Sequence, residues 1–256
     1  MDYINNTNKK RKKAKKNVYL PNYNSILSKL NTILKPKQID KLDKINEIIK
    51  LKMSEELYRH SIGTLSFLLD LLKRHYPDFF SVDNKNSSDK KLDFYFRIDS
   101  GRNFLYKACL AAVLHDYGKI FKDSELLDIA IKNNIRLNDF EQKCYPLIHS
   151  FAGPFIIKKE IGITFKEVMR AVKSHTIGSL KMNLMDKLVY ISDKLEITRD
   201  FDGVDYLRKL SIKDLDLCLL EVYKSNIIYV ISKNSLLHPD TSKIWNFICG
   251  GYKNVT

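Results

Sequence analysis

The sequence contains six histidines, and four of them fall where an apolar side chain is the usual occupant of a helix. A single histidine in such a position is more often a hydrogen-bonded core residue than a metal ligand. Four of them on separate helical segments are harder to explain by packing alone. The four candidate ligands are His60, His115, His149 and His175.

Asp116 is the first of two carboxylates that could join these histidines. It directly follows His115 at the end of the apolar run 108–114. A buried carboxylate without a partner is costly, so this position calls for a compensating positive charge. Lys119, three residues later, is one candidate, and a metal ion is the other.

Asp193 is the second carboxylate, and it lies in an apolar helical segment from Met185 to Arg199. A carboxylate on a helix commonly pairs with a cation three or four residues away. No Lys or Arg stands at those distances from Asp193, where the sequence has Val189, Tyr190, Glu196 and Ile197. We therefore expect no local cation there. A buried ligand and a surface carboxylate both remain open on this evidence.

Together the set holds four imidazoles and two carboxylates on five helical segments. Mixed nitrogen and oxygen donors suit iron, manganese, cobalt or zinc better than magnesium or calcium. Six ligands exceed the need of one catalytic ion. Two ions about 3.5–4 Å apart, bridged by a carboxylate and a hydroxide nucleophile, would use them all.

The segments that must position these residues are helical throughout. Apolar residues recur at three- and four-residue steps from about Gln38, which predicts one or two long helices up to Arg74. Further helices are predicted over about 103–116, 124–134, 143–161, 164–176, 183–199, 213–233 and 240–249. Almost no segment alternates as a strand would. We predict an all-α bundle.

The ends of the chain differ in character from this core. The formal net charge is +14, and the run 9–16 holds seven Lys or Arg. Residues 1–40 are predicted to be a disordered basic arm, 41–252 the folded domain, and 78–102 a loop or insertion. The basic run is either a solvated tail or a contact for an anionic partner such as RNA.

The remaining composition indicates a soluble, cytoplasmic protein. Its four cysteines are widely spaced and form no C-x-x-C pair, which is typical of reduced packing residues. No apolar stretch approaches the roughly 18 residues of a membrane span. The sequence allows a homodimer but does not specify one.

The motifs around these residues resemble the HD superfamily, and in particular its YqeK branch. The resemblance covers about residues 50 to 250. Its distinctive elements are His-Thr-x-Gly at His175–Gly178 and Asp-Lys-x-Glu-x-x-Arg at Asp193–Arg199. The other matching pieces are Arg59-His60, Leu114–Lys119, Leu147–His149 with Gly153, Met182, Asp186–Ser192, Asp214–Asp216, His238–Thr241 and Asn246.

This resemblance implies an all-α, metal-dependent phosphohydrolase that cleaves diadenosine tetraphosphate into two ADP. It implies that His60, His115, Asp116 and Asp193 hold one divalent ion. His149 and His175 would complete a second, with Asp116 bridging. Iron, manganese and cobalt are the expected metals. Lys119 and Arg199 would neutralise phosphate charge, and Thr176 and Gly178 would shape the phosphate pocket.

Three departures from the pattern bear on the site. Ser192 stands where the branch has Ala before the last ligand, and Ile197-Thr198 replaces a segment that begins with Pro. Pro154 follows His149 within one predicted helix, where the missing N–H could kink the chain and displace His149.

Two other functions are compatible with the same residues. The first is an HD phosphohydrolase that acts on another nucleotide. The second is a protein that binds RNA through its basic arm, with the HD core as a sensor. Six polar groups in apolar helices would destabilise a core that bound no metal, which favours the hydrolase.

Overall fold

The computed structural model describes residues 21–80 and 101–253, and in these ranges the ordered elements are helices. Twelve α-helices run in chain order through the described residues. They are α1 (Tyr23–Asn31), α2 (Pro36–Lys52), α3 (Glu55–His75), α4 (Gly101–Leu114), α5 (Asp123–Lys132), α6 (Asp139–Lys143), α7 (Tyr145–Ile161), α8 (Lys166–Ser174), α9 (Leu184–Leu195), α10 (Val204–Lys213), α11 (Leu215–Ser232) and α12 (Thr241–Lys253). Short 3-10 turns occupy Pro77–Phe80 and Tyr117–Ile120. The predicted all-α class is confirmed.

Helix α4 is the centre of the core. Every residue from Ala108 to Leu114 is buried, so the helix has no solvent-facing side over its last two turns. Small side chains at Ala108, Ala111 and Ala112 let neighbouring helices approach closely. Helices α3, α8 and α9 pack against it, and α9 also packs against α3 and α8.

The ends of these central helices carry most of the predicted ligands. Helix α4 ends at Leu114, so His115 and Asp116 follow it directly. His175 is the C-terminal cap of α8, and Asp193 lies in the last turn of α9. A helix end leaves backbone carbonyls without helical partners, and a side chain that folds back can use them.

The predicted boundary of the arm at residue 40 is wrong. Residues 23–31 form α1, and their apolar face is buried together with Leu34. The buried side chains of this segment are Tyr23, Ile26, Leu30 and Leu34, and they join the main hydrophobic core. Burying this face against α2 stabilises the helix, although it is short and its composition is polar elsewhere. The basic run 9–16 lies outside the described residues.

The predicted insertion at 78–102 is only partly within the described residues. Phe79, in the first 3-10 turn, is buried and stacks on Phe104 with ring centroids 4.8 Å apart. Gly101 and Arg102 belong to α4 rather than to a loop.

Helix α10 was not predicted from the sequence. It begins after Gly203, where a left-handed backbone conformation with a φ of 90° changes the direction of the chain after α9. Only four of its ten residues are buried, Val204, Leu207, Leu210 and Ser211. So few apolar positions produce a weak periodic signal, and tertiary packing against α11 stabilises the helix instead.

A search of the described residues for membrane-spanning helices is negative, since none is both long and apolar enough to cross a bilayer.

The packing of α1 leads to a prediction on stability. Leu30 is 2% exposed and Leu51 is 87% exposed, so the two leucines form a matched pair. Leu30→Ala should lower the free energy of unfolding by about 2–5 kcal/mol, because it leaves a cavity in the core. Leu51→Ala should change it by less than about 0.5 kcal/mol. Urea unfolding of both variants measures the difference, and equal stabilities would show that α1 does not pack as described.

Candidate metal centre

The six predicted ligands converge on one point, with Asp116 at its middle. The two oxygens of Asp116 face different histidines. Oδ1 lies 3.2 Å from His149 Nε2 and 3.1 Å from His175 Nε2. Oδ2 lies 3.6 Å from His60 Nε2 and 3.5 Å from His115 Nε2. One carboxylate thus joins two pairs of imidazoles.

Asp193 completes the arrangement on the side of His60 and His115. Its Oδ1 lies 3.0 Å from His60 Nε2 and 3.7 Å from His115 Nε2. Two groups of three could each hold an ion by distance alone, His60 with His115 and Asp193, and His115 with Asp116 and His175. The two groups share His115.

Hydrogen bonds behind the rings turn the Nε2 atoms toward the centre. His115 Nδ1 lies 2.8 Å from the carbonyl of Ala112, and His175 Nδ1 lies 2.6 Å from that of Val172. Each acceptor is three residues earlier in the chain, so the histidine folds back on the last turn of its own helix. With Nδ1 as the donor, the lone pair of Nε2 is left for a metal.

The same geometry places lone pairs against one another. The Nε2 atoms of His60 and His115 are 3.1 Å apart, and those of His149 and His175 are 3.2 Å apart. Two acceptors at such a distance repel unless a cation or a proton lies near them. The donor set of imidazole nitrogens and carboxylate oxygens therefore fits divalent transition metals.

The pKa values of the buried groups reflect the same demand for positive charge. Burial by itself lowers the pKa of His115, but the charge of Asp116 and hydrogen bonds to Asp116 and Asp193 raise it to about 9. Burial dominates at His175 and lowers its pKa to about 4. Burial opposes ionisation of Asp116, yet the charge of His115 and its histidine hydrogen bonds hold that pKa well below its usual range. The buried carboxylates therefore favour positive charge beside them.

Three basic side chains also contact the carboxylates. Lys119 Nζ lies 2.7 Å from Asp116 Oδ2, as the spacing predicted. Lys194 pairs with Asp193, and Arg199 donates to Asp193 Oδ1 at 2.6 Å. The expectation that no local cation faces Asp193 is therefore wrong. These partners are one and six residues away in sequence, and Arg199 reaches back only because the chain turns after α9.

Glu196 is a residue of the site that the sequence reasoning quoted but gave no role. It is fully buried just after α9, and its Oε1 lies 3.1 Å from His60 Nδ1. Burial alone would raise its pKa, but hydrogen bonds from His60 and Thr198 outweigh burial and lower it. Its place in the Asp-Lys-x-Glu-x-x-Arg element was the signal that could have identified it.

A cavity of about 1140 Å³ opens from the cluster. The cavity is lined by two candidate ligands, His60 and Asp116, and by the basic side chains of Lys119, Lys194 and Arg199. Helix α11 contributes another wall, with Val222, Ser225, Asn226 and Tyr229. The cavity thus joins a strongly charged region to a wall with apolar and aromatic side chains.

Thr176 and Gly178, which were predicted to shape the phosphate pocket, are not among the residues that line this cavity. Thr176 donates to the hydroxyl of Ser150 at 3.0 Å. Gly178 has a φ of 79°, and a Cβ there would lie 3.2 Å from Ile244 and 3.3 Å from Tyr223. Their proposed contact with phosphate stays a prediction.

Two histidines were expected not to be ligands, and the structure gives each another partner. His75 Nε2 lies 2.6 Å from the carbonyl of Ser211. His238 pairs with Glu141 at 3.2 Å.

Pro154 does not displace His149. Helix α7 continues through it to Ile161, and His149 lies in the turn before it, 3.2 Å from Asp116. The missing N–H therefore leaves the position of the ligand intact.

Comparisons with known proteins identify relatives of this chain. Over 203 residues the chain is 27% identical to the symmetrical bis(5'-nucleosyl)-tetraphosphatase of Bacillus subtilis (strain 168), covering 79% of this chain and 95% of that protein. A protein of the same name from Halalkalibacterium halodurans is 27% identical over 78% of this chain and 92% of its own length. No family model matches the chain.

A solved structure of similar fold agrees with these sequence comparisons. A Clostridium acetobutylicum protein, described as a predicted HD superfamily hydrolase involved in NAD metabolism, is 29% identical. It superimposes with a TM-score of 0.67 over 81% of this chain and 96% of that one. The fold is similar to that of this HD superfamily hydrolase, and the His115-Asp116 pair lies in a cluster that could hold a metal ion. Within that class the curated relatives are symmetrical bis(5'-nucleosyl)-tetraphosphatases, so the predicted resemblance to the YqeK branch is confirmed.

The central position of Asp116 leads to a prediction on metal content. Asp116→Ala should remove bound metal, because it deletes the oxygens that face both histidine pairs. His75→Ala should retain it, because His75 contacts a backbone carbonyl instead. Elemental analysis of both purified variants, with circular dichroism to confirm folding, makes the comparison. Equal metal loss in the two variants would contradict the assignment of ligands.

Proposed function

We propose that the protein hydrolyses diadenosine tetraphosphate symmetrically to two ADP at this centre. The observation that carries the proposal is the carboxylate of Asp116 between two pairs of imidazoles, at the floor of a cavity lined by lysine and arginine. The names of the curated relatives specify the substrate and the symmetry of cleavage.

We infer two divalent ions, with iron, manganese or cobalt the metals that suit the donors best. His60, His115, Asp116 and Asp193 would hold one, and His149 and His175 with Asp116 the other. When bound, such a pair of ions lowers the pKa of water and neutralises phosphate charge. The backbone carbonyls of Ala112 and Val172 accept hydrogen bonds from His115 and His175, and the carboxylate of Glu196 accepts one from His60. These bonds orient the ligand rings toward the ions.

Lys119 and Arg199 have the charge and position to bind the phosphates. Their side chains are 42% and 38% exposed and lie on the cavity wall, so both can reach a ligand there. Each also contacts a candidate ligand carboxylate. A phosphate oxygen bound by these cations would lie next to the centre, where electrostatic stabilisation of developing charge contributes most.

The cavity suits a long dinucleotide with an anionic middle. Symmetrical cleavage requires the centre of the tetraphosphate to lie at the ligand cluster. Its two nucleosides must then extend away from it. The cavity exceeds the range of about 300–1,000 Å³ typical of small-molecule sites. Tyr229 and Val222 on α11 offer an apolar surface for one nucleoside.

Cleavage of another nucleotide by the same centre is the main alternative, and a substrate panel distinguishes the two. Contact with RNA through residues 9–16 stays a prediction, because the basic run lies outside the described residues. A homodimer also stays a prediction.

The substrate assignment predicts the products. Purified protein should convert diadenosine tetraphosphate to ADP alone, as resolved by anion-exchange chromatography. A chelator should abolish turnover, and manganese, iron or cobalt should restore it, since the proposed cleavage depends on the bound ions. ATP plus AMP as the main products would refute symmetrical cleavage, while turnover that resists chelation would refute the metal centre.

The role of Lys119 predicts a kinetic effect with a matched control. Lys119 and Lys52 both have side chains 42% exposed and both pair with a carboxylate, Asp116 or Glu160. Lys119→Ala should lower kcat/KM by about 10²–10³-fold at saturating metal, because it removes a cation next to the reacting phosphate. Lys52→Ala should leave it unchanged. Similar losses in both variants would mean that surface charge in general, and not Lys119, is responsible.

A further inference from the structure

The carboxylate of Glu196 is buried behind one of the candidate ligands. Its relative exposure is 0%, and it lies just beyond the end of α9. Its Oε1 is 3.1 Å from His60 Nδ1, the ring nitrogen that faces away from Asp116 and Asp193. Glu196 is therefore positioned to act on the centre through His60.

Gly63 on α3 provides the space that this carboxylate fills. A Cβ at position 63 would lie 2.4 Å from Glu196 Oε2 and 3.1 Å from its Cδ. Glycine inside a helix is destabilising relative to alanine. Helix α3 nevertheless has glycine at position 63, three residues after His60, on the face where the Glu196 carboxylate packs.

Thr198 supplies the remaining hydrogen bonds to the carboxylate. Its backbone N–H donates to Glu196 Oε2 at 2.8 Å, and its hydroxyl donates to Oε1. With His60, three hydrogen-bond donors face this one group, and Arg199 Nε lies 3.7 Å from its Oε1. Burying a carboxylate is costly even when it is paired, and a well-packed apolar side chain is often the more stable choice. Packing alone therefore does not explain Glu196.

The acceptor behind His60 differs in kind from those behind two other ligands. His115 and His175 donate to neutral backbone carbonyls, those of Ala112 and Val172. His60 has a carboxylate. A carboxylate behind a ligating imidazole fixes the ring and strengthens it as a metal donor, and its loss typically costs 10–100-fold in metal affinity.

We propose that Glu196 is a positioning residue that holds His60 with its proton on Nδ1, and that it makes the metal position at His60, His115 and Asp193 the tighter of the two. The inference rests on the proposed metal centre. Gly63 and Thr198 serve the same purpose, since one makes room for the carboxylate and the other orients it.

Glutamine at position 196 keeps the shape but cannot satisfy all three donors. If its amide nitrogen takes the place of Oε2, it faces the N–H of Thr198, and two donors meet. If the amide is reversed, its nitrogen faces His60 Nδ1 and favours the tautomer with the proton on Nε2. That proton occupies the lone pair that would bind the metal. Either arrangement disturbs His60.

The test is a titration of the metal-free, full-length protein with Co²⁺, followed by calorimetry and by visible absorption. Wild-type protein should bind two equivalents with unequal affinity. Glu196→Gln should weaken the tighter equivalent by about 10–100-fold and leave the weaker one nearly unchanged. Excess Co²⁺ should restore full occupancy. If Glu196→Gln binds both equivalents as the wild type does, the proposal is overturned.

Glu141→Gln is the matched control. Glu141 is also a buried glutamate paired with a buried histidine, His238, at 3.2 Å, and its other oxygen accepts the N–H of Asn138 at 2.7 Å. It should lose a similar amount of stability while Co²⁺ affinity stays within about twofold of wild type. An equal loss of metal affinity in Glu141→Gln would show that general destabilisation, and not the contact with His60, is responsible.

Gly63→Ala tests the space that the carboxylate fills. The added methyl must displace the Glu196 carboxylate, although no charge or ligand is removed. Co²⁺ affinity of the tighter equivalent should fall about 10-fold or more, and the melting temperature should not rise, because crowding in the core offsets the better helix propensity of alanine. Unchanged affinity in this variant would contradict the role of the Gly63 gap and of the carboxylate that fills it.

The titration distinguishes failure of the Glu196 proposal from failure of the proposed function. Wild-type protein that binds no Co²⁺ would refute the metal centre itself. Wild-type protein that binds two equivalents, with Glu196→Gln identical to it, would refute only the role of Glu196.

Discussion

The buried carboxylate of Asp116 is the constraint on which the rest of the centre depends. At 1% exposure it cannot be solvated, so the fold must surround it with positive charge or hydrogen-bond donors. Four imidazoles and Lys119 meet this need, with one of its oxygens facing His149 and His175 and the other facing His60 and His115. Divalent cations between these groups would satisfy the carboxylates and the crowded Nε2 lone pairs together. The same arrangement that makes the metal-free cluster costly would therefore favour the proposed metal binding.

Helix ends give this arrangement its rigidity. His115 and His175 come directly after the last residues of α4 and α8, and each folds back on a carbonyl three residues earlier. A local contact of this kind needs no distant partner, so the ring is oriented as soon as its helix forms. His60 is different, because it lies within α3 and has no free carbonyl of its own. A distant carboxylate, Glu196, takes the place of that carbonyl, and Gly63 leaves space for it.

In the proposed function, the charged side chains around the centre would link metal binding to recognition of phosphate. Lys119, Lys194 and Arg199 pair with Asp116 or Asp193 and also line the cavity. Their position suits a polyphosphate chain, whose negative charges can share these cations with the carboxylates. The α11 wall, where Tyr229 and Val222 lie, offers a less polar surface to the rest of a nucleotide. A site that joins both surfaces fits a dinucleoside polyphosphate better than a simple phosphate ester.

The sequence by itself determined the helical class and most of the helix positions, because helical periodicity is local. It also singled out the six side chains that the fold brings together, because a histidine or aspartate on an apolar face is conspicuous. It did not determine α1 or α10, whose short apolar faces become stable only when α2 and α11 cover them. Nor could helical spacing predict that Arg199 would turn back to Asp193, since that contact depends on the path of the chain after α9. Glu196 and Gly63 are 133 positions apart in a sequence of 256 residues, and His60 is three positions before Gly63. The contact between Gly63 and Glu196 forms only when α3 packs against α9. The sequence shows a glycine at position 63, but it does not show which side chain fills the space beside it.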